Sequence, residues 1–194
     1  MHVAFHAPMK DPDHPVPSGD RTMARLLLAA LTRAGHTGTV ASRLRTWLRH
    51  GNPRDQAAMA AAGAAEAARV LGDIAGRSMP RPSVWLTYHL YYRAPDLVGP
   101  AVARALSIPY VVAEASHAPK RLKDHWAPSE RAVVAALRQA SAVLAMTPLD
   151  RACLGRVMDD ERIHDFPPFL DASPFIGGRR RAQEDGPARL LAVG

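Results

Sequence analysis

One short stretch narrows the choice of fold more than any other. It runs Val3-Ala4-Phe5, then a loop closing Pro17-Ser18-Gly19-Asp20-Arg21, then an apolar stripe at helical spacing. Val3-Ala4-Phe5 carries no charge and reads as a strand buried on both faces. Met23, Leu26, Leu27, Ala30 and Leu31 share one side of a helix predicted over 22–34. Asp20 stands at the expected N-cap and Gly35 where a helix-ending glycine belongs. Thr37 to Ala41 reads as a second strand. Strand, loop, helix, strand is the first unit of a parallel α/β sheet. Its loop lies at the carboxyl end of the first strand, where such sheets bind ligands.

The alternation continues. Helices are predicted over 55–76, 97–106, 128–140 and 148–157, and strands over 84–88, 109–113, 142–146 and 163–166. Pro100 belongs in a first helical turn and moves the start of the second of these helices toward Gly99. The connections are long enough for right-handed crossovers. The expectation is an α/β domain over residues 1–176, a Rossmann-like parallel sheet with helices on both faces. Pro167-Pro168-Phe169-Leu170-Asp171 breaks the pattern. Residues 177–188, rich in glycine and charge, read as a linker, and 189–194 as the first strand of a second domain.

A chain of 194 residues that is 47% hydrophobic has enough apolar material for a buried core, which excludes the disordered class. Its single cysteine, Cys153, excludes an internal disulfide and fits a reducing, cytoplasmic compartment. No basic n-region or long apolar core opens the chain, so no signal peptide is expected. The alanine-rich stretch 57–68 is too short and too polar at its flanks to span a bilayer. A formal net charge of +7 favours anionic partners, although a GC-rich coding bias toward arginine explains much of it. Residues 43–50 carry Arg43, Arg45 and Arg49 around Leu44, Trp47 and Leu48. Two readings stand: a surface loop anchored by Trp47, or a basic patch in peripheral contact with anionic lipid at the inner membrane face. No nucleic-acid partner is expected. Asp11, Asp13 and His14 match no zinc spacing, so no metal site is assigned.

Several features recur in one order along the chain. They are the loop Ser18-Gly19-Asp20-Arg21, the helix end Leu31-Thr32-Arg33-Ala34-Gly35-His36, and the junction Ala105-Leu106-Ser107-Ile108-Pro109-Tyr110-Val111-Val112. Then come Glu114-Ala115-Ser116-His117, the strand Ala142-Val143-Leu144-Ala145-Met146 with Thr147, and Pro167-Pro168-Phe169-Leu170-Asp171 with Pro174-Phe175. Leu190-Leu191-Ala192-Val193-Gly194 comes last. The ordered set resembles the N-terminal domain of family-4 (group 1) glycosyltransferases of the GT-B fold. The resemblance implies transfer of a sugar, with retention, from a nucleotide diphosphate donor. The acceptor would be a glycan, a lipid-linked molecule or a small molecule, held mainly by this domain. It implies no cofactor and no bound metal, and a second domain that makes most donor contacts, so residues 1–194 alone are not expected to turn over.

By the same resemblance Gly19 meets the donor diphosphate and His117 is the catalytic residue beside the donor sugar. Asp20, Arg21, Glu114, Tyr88 and His89 fall on the acceptor side, with Glu114 placed either to orient His117 or to touch the acceptor. Each has a plainer reading: a loop glycine, a helix cap, solvated charges. Tyr91 and Tyr92 read as packing under a loop, and Lys120, Arg121 and Lys123 as solvated unless they face an anionic acceptor. Two departures from the family pattern bear on the acceptor: Ser18 stands where an adjacent glycine is common, and the loop 8–17 is long and proline-rich. The rival from another class is a non-catalytic Rossmann-like module whose basic face holds an anionic partner.

Overall fold

The computed structural model of the protein describes residues 1–173 and Ile176. The expected linker, the strand over 189–194 and Pro174-Phe175 lie outside the described residues. Six parallel strands form one sheet in the order β2-β1-β3-β4-β5-β6. They are β1 (His2–His6), β2 (Thr37–Ser42), β3 (Val84–Leu90), β4 (Tyr110–Ala115), β5 (Ala142–Ala145) and β6 (Ile163–Asp165). The helices are α1 (Gly19–Arg33), α2 (Pro53–Ala75), α3 (Gly99–Leu106), α4 (Ala127–Gln139) and α5 (Pro148–Leu154). Short 3-10 turns cover Pro119–Lys123 and Asp160–Arg162. The chain order reverses between β1 and β3, so a crevice opens at their carboxyl ends.

Two apolar layers sandwich the sheet. On one side Ala4, Trp85, Val112 and Val143 meet Val70 of α2, Val102 of α3 and Val133 and Leu137 of α4. On the other, Val3, Phe5, Leu86 and Ala113 meet Ala24 and Leu27 of α1, with Phe166 and Phe169 packed beside them. Side chains alternate across each strand, which is why Val3–Phe5 of β1 and Tyr110–Ala113 of β4 had to be apolar. Burying Phe5 completely contributes about 1.5–3 kcal/mol by apolar transfer.

The start of α1 corrects one expectation. Ser18, not Asp20, is the N-cap: its Oγ accepts from the Arg21 N–H at 3.2 Å. A serine hydroxyl one residue before the first helical turn reaches that amide, whereas Asp20 lies inside the turn and its carboxylate is left for another partner. The other end is as expected. Gly35 takes φ +75°, its N–H donates to Thr32 O at 3.0 Å, and the His36 N–H donates to Leu31 O at 2.9 Å. Residues 43–50 form no helix but an irregular strap. The strap is tied down by Thr46 N–H to Pro8 O (2.9 Å) and Leu48 N–H to Arg93 O (2.8 Å). Arg43 is spent on Asp11 and Asp13 (2.7 and 2.8 Å), so this segment lacks the amphipathic helix that the lipid-facing reading would use. Among the described residues no helix is long and apolar enough to cross a membrane.

Candidate active site

The site is built where β1, β3 and β4 end. Tyr88 pairs with Ala113 and Leu90 with Ala115, which sets His89 opposite Glu114. Both intervening residues adopt left-handed backbone, His89 at φ 63° and Glu114 at φ 61°. Such conformations cost roughly 1–3 kcal/mol each in non-glycine residues and persist where surrounding structure imposes them. The two strands buckle together, and the alternation of side chains is interrupted at the crevice. His89 Nδ1 donates to Asp20 Oδ1 at 2.8 Å and stands 4.0 Å from Glu114 Oε1. The bond from His89 holds the Asp20 carboxyl below its ordinary value against the opposing effect of burial. Burial pushes the Tyr88 phenol well up, with the Glu114 carboxylate adding to the effect, so Tyr88 stays protonated.

Asp20, Tyr88, His89 and Glu114, four residues expected on the acceptor side, therefore converge. Carboxylates beside an imidazole and a phenol suit the O–H groups of a polyol: the carboxylates accept, the phenol donates. Arg21 is turned elsewhere. It helps, after Arg43 and Arg25, to hold the Asp13 carboxyl low, and its own Nε–H is buried without a partner among the described residues. Gly19 opens α1 on the exposed side, and a Cβ added there would meet nothing within 4 Å. A cleft of about 690 Å³ lies elsewhere, at the ends of β5 and β6, lined by Thr147, Arg151, Arg156 and Phe166 among others. None of the expected site residues lines it.

His117 follows β4 and is nearly buried. Its Nδ1 lies 2.6 Å from Glu130 Oε1 on the first turn of α4, and the Ala118 N–H donates to the same oxygen at 2.9 Å. An oxygen taking the amide proton is an acceptor, so the imidazole donates through Nδ1. Neutral His117 then carries its lone pair on Nε2, the nitrogen left for a ligand. Glu114, expected as a possible orienter of His117, is occupied with His89, and Glu130 does the orienting. Burial pushes the Glu130 carboxyl up, although Ala118 and His117 oppose this, and its Oε2 is buried with no partner among the described residues.

Beneath the crevice sits a third histidine–carboxylate pair, His6 with Asp96. Both side chains are wholly buried, 3.1 Å apart. Asp96 Oδ1 also accepts from the Val98 and Gly99 N–H groups (3.0 and 2.8 Å), and Oδ2 from Thr87 Oγ1 and Tyr110 Oη (2.5 and 3.1 Å). The far nitrogen of His6, Nε2, faces Leu44 O at 3.0 Å. Both ring nitrogens thus face acceptors, which calls for the imidazolium. Burial alone would lower the pKa of His6, but Asp96 outweighs it and the net direction is up. Burial would raise that of Asp96, but His6 and the donors bring it to about 2. The pair fastens the strap 43–50 and the segment after β3 to the end of β1. Sequence reading passed over His6, Asp96 and Glu130. The one available signal was a polar residue, His6, closing an otherwise apolar strand.

Among the described residues no group of three or more His, Cys, Asp or Glu side chains is arranged to hold a metal ion. No protein-family model and no curated protein matches the chain.

Proposed function

We propose that this domain is the acceptor-side part of a GT-B-class glycosyltransferase, which moves a sugar from a nucleotide diphosphate donor to a hydroxyl-bearing acceptor. One observation carries the reading: Asp20, Tyr88, His89 and Glu114 converge at the crevice where the sheet order reverses, with His117 held by Glu130 on the neighbouring strand end. The acceptor lies against the carboxylates and His89. His117 Nε2 accepts a hydrogen bond from a sugar hydroxyl, and the first turn of α1 offers its amide dipoles to the leaving diphosphate. Asp20, ionised and turned to His89, leaves Gly19 as the point of closest approach.

The rival reading, a basic module without chemistry, loses force because many cations are consumed locally. Arg43 meets Asp11 and Asp13, Arg69 meets Glu66 and Asp73, and Arg151 meets Asp160 and Asp165.

The test is release of nucleoside diphosphate from a panel of nucleotide sugars, run on the product of the gene's whole reading frame. Gly19→Val is a clean probe, since the fold has open space there. It should raise the donor KM, and His117→Ala should lower kcat by roughly 10²-fold or more. Full turnover by both variants, or none by the parent with any nucleotide sugar, overturns the proposal.

A further inference from the structure

Among the described residues, Arg93 is a cation without a counter-charge. It sits in a tight turn after β3, where Ala94 N–H donates to Tyr91 O at 2.9 Å and the Arg93 carbonyl receives Leu48 N–H. Its guanidinium stands 5.8 Å from the Trp126 ring centroid and 6.0 Å from that of Tyr92. Its Nε is buried without a partner, and no carboxylate pairs with it among the described residues. Arg121 lies over the same Tyr92 ring at 4.8 Å but is neutralised by Asp124 at 2.8 Å. A half-buried guanidinium gives up hydration and here gains only aromatic faces in return. Its planar fork remains open for an anion, and carboxylate and phosphate are the groups it matches in a bidentate way.

The aromatic rings around it lead back to the candidate site. Tyr92 packs against Trp126 at 5.1 Å, Tyr91 against Tyr92 at 5.6 Å, and His89 against Tyr91 at 5.0 Å. Tyr91 is fixed in turn by the Trp47 indole N–H, which donates to its hydroxyl at 3.1 Å. Tyr91 and Tyr92 are half-buried, so a sugar ring can lay its C–H face on them while Trp126 backs the cage. Lys120 and Lys123, both exposed, add positive charge to the adjoining turn.

We propose that Arg93, with Tyr91 and Tyr92, forms a subsite for an anionic substituent, phosphate or carboxylate, on the sugar that enters the crevice beside His89. This rests on the reading of that crevice as the acceptor side. The acceptor is then an acidic glycan unit, not a neutral one.

The test needs neither donor nor turnover. Tryptophan fluorescence of the 194-residue chain is titrated with glucose 6-phosphate, glucuronate, glucose, inorganic phosphate and phosphatidylglycerol vesicles. The two anionic sugars should bind about ten-fold or more tighter than either glucose or inorganic phosphate. Arg93→Gln should abolish that advantage, and Arg138→Gln, at the far end of α4, should keep it. The Arg93 guanidinium makes no hydrogen bond to the described residues, so the variant should retain the parent's circular dichroism. If it does not, Arg93→Lys, which keeps the charge without the fork, should still lose several-fold.

Equal binding of glucose, equal binding of inorganic phosphate, or an unaltered preference in Arg93→Gln overturns the subsite. Vesicle binding without sugar-anion binding assigns the cation to a lipid headgroup and overturns it as well. Absence of any nucleotide-sugar turnover with the anion preference intact would overturn only the transfer reaction.

Discussion

Replacing Asp96 by asparagine tests what holds the crevice in shape. The side chain keeps its size and one carbonyl oxygen for the Val98 and Gly99 amides, but the charge opposite His6 is gone. A carboxyl brought to about 2 from an ordinary 3.8 corresponds to roughly 2 kcal/mol of stabilisation at neutral pH. Breaking a buried pair from one side costs about 3–5 kcal/mol, because the partner charge is stranded. In the variant His6 can shed its proton and still donate from Nε2 to Leu44 O, which relieves part of that cost. The expected loss is therefore about 3 kcal/mol, a large fraction of the ~5–15 kcal/mol by which domains are stable. Urea unfolding followed by fluorescence would measure it, since Trp85 is wholly buried beside the pair. The pH dependence has a definite sign. The Asp96 contribution is fully present above its unfolded value near 3.8 and is lost as pH falls toward about 2. His6, whose pKa is raised in the fold, contributes below its ordinary 6.5, and that part is lost as pH rises through the raised value. The parent should be most stable between these limits, and Asp96→Asn should lose this part of both limbs. A loss under about 1 kcal/mol, or identical acid limbs in parent and variant, would refute the argument.

Two further outcomes follow from close contacts. Nitrogen-15 NMR should find neutral His117 protonated at Nδ1 in the parent and in Glu130→Gln, and mixed between the two nitrogens in Glu130→Leu; a parent protonated at Nε2 would remove the orienting role of Glu130. Gly63→Ala should destabilise by about 1–2 kcal/mol in urea unfolding despite alanine's better helix propensity, because its Cβ would fall 2.4 Å from Leu97 Cβ; a neutral result would mean that α2 yields at this crossing.

The part of the fold that is legible in the sequence is the part set by local periodicity. Val3-Ala4-Phe5 and Tyr110-Val111-Val112-Ala113 had to be buried strands because nothing polar interrupts them, and Gly35 marked the end of α1 through a backbone conformation that suits glycine. The cap of α1 is not legible locally because Ser18 and Asp20 are both competent, and His89, 69 residues away from Asp20, takes the carboxylate. The same distance problem hid the deeper layer of the site. Nothing near Asp96 in sequence announces that five donors from four parts of the chain, His6, Thr87, Tyr110 and the Val98 and Gly99 amides, close on one carboxylate; only the register of β1, β3 and β4 does that. His117 was visible as a polar residue after an apolar strand, but its tautomer was not, since Glu130 reaches it from the next helix. The left-handed pair His89 and Glu114 is the sharpest instance. Neither residue type requires positive φ, so their conformation is imposed by two strands that buckle in step. Strain that no residue type asks for, placed where the sheet order reverses and surrounded by groups able to hold hydroxyls, has a physical use: it turns side chains that would alternate between the two sheet faces toward a single crevice.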